Sequence, residues 1–146
     1  MISFSMAVWW FTKTGKGGNF GIGMPCSKAY PDKVTSACNS ANDYRGSTKR
    51  PEHTRFGYHN FAGYAMTHDG PREIQFKICF ATRTFTNISF GVAFFDMEYE
   101  DTTQSCKQSR YGHFAVAAGY WRVHFVADYF RKVVKQPDFM ESGEVC

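Results

Sequence analysis

The residues able to do chemistry in this chain crowd into one short run. In "GVAFFDMEYEDTTQSC", Gly91 to Cys106, an apolar segment leads into four acids, Asp96, Glu98, Glu100 and Asp101. If the strand continued, alternation would put Asp96, Glu98 and Glu100 on one face. Carboxylates so placed oppose one another's ionisation or share a cation. The plainer alternative is a strand end passing into solvated loop. Calcium-loop spacing is absent. None of the five cysteines, Cys26, Cys38, Cys79, Cys106 and Cys146, forms a CxxC pair. His53, His59, His68, His113 and His124 are scattered, so zinc spacing is absent too. No metal and no cofactor is expected. Asp101 is expected to form a surface pair with Lys107 or Arg110. His113 is expected to make a local polar contact rather than to act as a base.

Composition narrows the classes. A chain of 146 residues is one domain by the usual length prior, and 43% hydrophobic residues with 15 Phe and 8 Tyr suffice for a packed core. Seventeen basic against 13 acidic residues give +4, without any basic run, so a nucleic-acid partner is not expected. No stretch reaches the ~18 apolar residues of a membrane span, and no membrane partner is expected. Asn87-Ile88-Ser89 is a glycosylation sequon. Together with five cysteines it favours an extracellular, disulfide-bearing glycoprotein. Two bridges and one spare thiol is the simplest count, with Cys26–Cys38 and Cys79–Cys106 as candidates; free buried thiols are the alternative. "MISFSMAVWWF" lacks a basic leader and a cleavage site. The chain therefore reads as a mature fragment or a partial frame.

These residues need elements to hold them. "ISFSMAVWWF", residues 2–11, reads as one buried strand, in which Trp9 and Trp10 point to opposite faces. Residues 12–60 are dense in Gly, Pro, Ser, Asn and Lys and read as a loop-rich insertion. "FAGYAM", residues 61–66, is a short strand. Asp69 as cap and Pro71 in the first turn predict a helix over 71–83, with Ile74, Ile78 and Ala81 on one face. The apolar run from Ile88 to Phe95 predicts a parallel strand buried on both faces. Phe114, Ala118, Trp121, Phe125 and Tyr129 predict a last helix over 114–135, with Arg122, Arg131 and Lys132 outside. The order strand, insertion, helix, strand, helix implies parallel strands with helices packed outside.

Two of these segments resemble one family. "YAMTHDGPREIQFK" resembles the segment entering the seventh helix of glycoside hydrolase family 18, the chitinases and chitinase-like proteins. "FGVAFFDMEYEDTTQSC" resembles that family's eighth strand, in a variant similar to divergent secreted chitinase-like proteins of ticks and mites. The resemblance implies an α/β fold, the C-terminal portion of a (β/α)8 TIM-barrel-like domain. Residues 1–146 would form a single partial domain, with 12–60 inserted. Phe95 then stands where the family has a sugar-stacking tryptophan; the alternative is a core side chain. Trp9 falls at a tyrosine of the seventh strand, with Trp10 and Phe11 in place of the glycine and arginine that follow. Trp9, Phe95, Asp96 and Glu98 are the implied ligand-binding residues. A second alignment, to the fourth-strand motif DxxDxDxE, would make Glu98 the general acid and Asp96 its partner. Gly91 and Phe94 occupy that motif's earlier aspartate positions. The expected protein is chitinase-like and secreted, without hydrolytic activity, binding carbohydrate or a host protein. The alternatives are an active chito-oligosaccharide hydrolase and a small disulfide-stapled binding protein.

Overall fold

The computed structural model describes residues 1–15, 23–40, 45–49, 54–59, 63–103 and 120–135. Two sheets form among them. Strand β1 (Ile2–Ser5) pairs in parallel with β7 (Val92–Phe95), in register from Ile2↔Val92 to Ser5↔Phe95. The other sheet has five antiparallel strands in the order β3-β2-β6-β5-β4. They are β2 (Val8–Lys13), β3 (Cys26–Asp32), β4 (Arg45–Lys49), β5 (Thr54–His59) and β6 (Tyr64–His68). Helix α1 (Val34–Ser40) follows β3; α2 (Pro71–Thr84) and α3 (Trp121–Lys135) flank β7 in the sequence. The chain thus leaves the parallel unit at Met6–Ala7, builds the antiparallel sheet, and returns at Asp69–Gly70.

The expected single strand over 2–11 is therefore two strands in different sheets. The break falls at Met6 and Ala7, both buried. Each part feeds its own core. Phe4 and Met6 pack with Ile74, Ile78, Val126 and Tyr129 from α2 and α3. Val8 and Trp10 pack with Val34 and Ala37 of α1 and with Met66. Burying each large side chain contributes roughly 1.5–3 kcal/mol. Among the described residues the insertion holds more regular structure than expected: three strands and a helix lie within residues 12–60, besides the end of β2. Backbone pairing supplies the order that its apolar content did not signal.

Helix α2 starts as predicted, with Pro71 in its first turn, Glu73 near its N-terminus and Arg83 in its last turn, as the helix dipole favours. Its cap is Gly70 rather than Asp69, with no side-chain cap bond. Asp69 is drawn away by Lys77, whose Nζ donates to Oδ1 and Oδ2 at 2.7 and 2.6 Å. Gly70 leaves room for the Arg55–Glu73 pair: a Cβ there would lie 2.6 Å from Glu73 Oε2 and 3.1 Å from Arg55 Nε, so these side-chain ends would have to shift. Strand β7 is shorter and wetter than its apolar run suggests. It spans four residues, Val92 to Phe94 are half-buried, and Ile88 is exposed. Helix α3 begins at Trp121, after Tyr120 in a left-handed conformation at φ 59°. Phe114 and Ala118 lie outside the described residues.

Two cysteine expectations resolve differently. Cys26 is exposed and carries a free thiol, so the expected Cys26–Cys38 bridge is absent. Cys26 pairs with Lys13 at one end of β3, while α1 follows the other end and packs on Val8 and Trp10. Cys79, fully buried on α2, is disulfide-bonded. Its partner lies outside the described side chains.

Candidate functional site

The carboxyl ends of β1 and β7 open beside the root of the inserted sheet. Ligand sites of parallel α/β units lie at such strand ends. There Ser5 Oγ donates to Asp96 Oδ2 at 2.7 Å and accepts from the Ala7 N–H at 3.2 Å. Asp96 takes the left-handed conformation, φ 58° and ψ 39°, which short polar side chains tolerate better than most. That residue ends the strand. A single 3-10 turn, Met97–Tyr99, follows.

The turn disperses the acids that a continuing strand would have aligned. Asp96 is tied to Ser5, Glu98 is exposed, and Glu100 is fully buried. Glu100 Oε2 lies 2.6 Å from Arg122, and neither side chain has solvent exposure. Asp101 is buried, contrary to the expected surface pair, and accepts from Thr103 N–H and Oγ at 3.0 and 3.1 Å. Its proposed partners Lys107 and Arg110 lie outside the described residues, as does His113. No group of three His, Cys, Asp or Glu suited to a metal occurs among the described residues.

The aromatic candidates are set apart by the pleat. Trp10 is buried, its Nε1–H donating to Ser36 Oγ of α1 at 3.1 Å. Trp9, on the opposite face of β2, is 39% exposed, and Phe95, at the end of β7, is 48% exposed. Phe95 is thus no core residue. Four residue steps bound the Ser5-to-Trp9 Cα distance at roughly 14 Å, and Ser5 is the register partner of Phe95. Phe56 and Thr67 share the Trp9 face through the cross-strand register. The strand ends therefore offer two exposed aromatic rings, a fixed carboxylate at Asp96 and a solvated one at Glu98.

Sequence reasoning missed Arg122, placing it outside its helix. It is fully buried. The signal was present: Arg122, Val126 and Tyr129 follow a four-then-three spacing that shares one helix face, and all three are buried.

No protein-family model matches the chain, and no curated protein matches it. Solved structures do match in fold, among them a chitinase and a pseudo-chitinase. One is an immunomodulatory active chitinase from Trichuris suis, with TM-score 0.56 and 12% identity over 69% of this chain and 29% of that one. Another is a human pseudo-chitinase with retained chitooligosaccharide binding properties, with TM-score 0.64 and 13% identity over 89% of this chain and 34% of that one. The chain spans about a third of the length of these structures. At such identities the likeness establishes a chitinase-like α/β fold.

Proposed function

We propose that the chain is the C-terminal part of a (β/α)8 chitinase-like domain of divergent secreted type, which binds chitooligosaccharide without hydrolysing it. The carrying observation is the end of β7. An exposed aromatic, Phe95, stands at the strand terminus, and the left-handed Asp96 then breaks the strand before Glu98. On the alternative alignment of this strand to the catalytic motif, a paired acid and steering carboxylate on one strand face is thereby lost, while Phe95 and Trp9 stay exposed for stacking sugar. A pseudo-chitinase neighbour that retains chitooligosaccharide binding supports this reading. In a secreted protein, Asn87, exposed in the turn after α2, would carry a glycan, and Cys79 would pair with Cys106.

Calorimetric titration with chitooligosaccharides tests the reading. Trp9→Ala and Phe95→Ala are each expected to weaken binding about tenfold or more, the scale of a central aromatic contact. Wild-type affinity in both variants would overturn the assigned surface. Release of shorter sugars by the wild type, abolished in Glu98→Gln, would overturn the non-hydrolytic assignment.

A further inference from the structure

The inserted sheet joins the parallel unit through two chain crossings, Met6–Ala7 outbound and Asp69–Gly70 inbound. One guanidinium holds both. Arg122, at the start of α3, donates from Nη2 to the Met6 carbonyl and from Nη1 to the Asp69 carbonyl, the latter at 3.0 Å. Its Nε donates to Glu100 Oε2 at 2.6 Å, just past the turn that follows β7. The three acceptors come from separate segments and meet in a site with no solvent exposure at either charged side chain. A guanidinium is a rigid planar fork, so its donors fit three fixed acceptors in one relative placement. Trp9 lies three residues beyond Met6, and Phe95 is the register partner of Ser5, the last residue of β1 and the one before Met6. The fork therefore sits on the hinge between the two exposed aromatics.

We propose that Arg122 is a positioning residue that fixes the inserted sheet against the parallel strands, and so the spacing of Trp9 from Phe95. Its ligand consequence rests on the carbohydrate reading above; its mechanical consequence does not. Lysine cannot replace it, because one ammonium on a flexible stem cannot span both carbonyls in the same geometry.

The test compares Arg122→Lys with the double variant Arg122→Met/Glu100→Leu, which removes both charges and leaves no lone buried ion. Hydrogen exchange is followed at three amides: Met6, which donates to Phe95 O; Ile74, which donates to Gly70 O; and Ile78, inside α2. Chitooligosaccharide affinity is measured in parallel. In both variants Met6 and Ile74 are expected to exchange at least tenfold faster while Ile78 keeps its wild-type rate. Affinity is expected to fall about tenfold in the double variant and less in the lysine variant. A destabilisation without positional content would instead speed all three amides together. Wild-type exchange at Met6 and Ile74 in both variants would overturn the proposal. A wild type that binds no chitooligosaccharide would sink the carbohydrate reading, and the exchange rates would still decide the clamp.

Discussion

The parallel unit and the inserted sheet are each built on an apolar core, yet the seam between them is charged. Ile74, Ile78, Val126 and Tyr129 close one core, and Val34, Ala37 and Met66 close the other. Across the seam run Arg55–Glu73 at 3.0 Å and Lys77–Asp69 at 2.6 Å, with Thr54 Oγ donating to Asp69 Oδ1 at 3.1 Å. Deepest among the described residues is Arg122–Glu100, with no solvent exposure at either side chain. Apolar contact is non-directional, whereas hydrogen-bonded charge demands one geometry. The cores hold each half together, and the hydrogen-bonded charges of the seam fix how the two halves meet.

The hardest way to break that division of labour is to strand one buried charge. Glu100→Ala leaves the Arg122 guanidinium without its counter-charge in a site closed to solvent. The expected cost is about 3–5 kcal/mol of unfolding free energy, read as a lowered denaturation midpoint. A loss below about 1 kcal/mol would mean that water reaches the guanidinium, and the seam would then carry no directional weight.

How much of this was legible in the sequence follows the same division. Helix α2 and the parallel pairing of β1 with β7 were readable, because Pro71 and the Ile74/Ile78 spacing are local signals. Of the inserted sheet only β2 and β6 were foreshadowed, by the strands read at 2–11 and 61–66; β3, β4 and β5 were not. Its strands hold Arg45–Lys49 and Cys26–Asp32, polar segments whose order comes from pairing with distant partners. The split at Met6–Ala7 was hidden because an apolar run reads alike whether it serves one core or two. Trp9 and Phe95 were singled out by type and position, and the structure leaves both side chains partly exposed. The role of Glu100 was misread because one left-handed residue, Asp96, rotates every acid after it, and no period-2 pattern foresees such a turn.

A gentler probe of the seam is pH. His68, buried at the end of β6, has its pKa pushed down from 6.5 to about 3, by burial first and then by the charges of Arg122 and Arg55. The folded state thus resists a proton that the unfolded chain accepts below pH 6.5. Stability from this group is complete above about pH 6.5 and is lost as pH falls towards 3, at up to about 1.4 kcal/mol per pH unit. His68→Gln should flatten the dependence between pH 6.5 and 4.5 in chemical unfolding. An unchanged slope in the variant would show that His68 is solvated in the folded protein.

The smallest expected effect completes the contrast between seam and surface. Arg131 and Asp128 lie 2.6 Å apart on α3, as short as Arg122–Glu100. Their side chains, however, are 68% and 54% exposed. Water and salt screen such a pair, and holding two mobile side chains together costs entropy, so its net worth is about 0.3–0.5 kcal/mol. Asp128→Ala should therefore shift the denaturation midpoint barely beyond error, and the shift should vanish in 1 M salt, where the screening length is about 3 Å. Equal distances with unequal burial isolate the variable on which the comparison turns. A loss of 2 kcal/mol or more here would mean that pair geometry, and not exclusion from water, grades the ion pairs of this molecule.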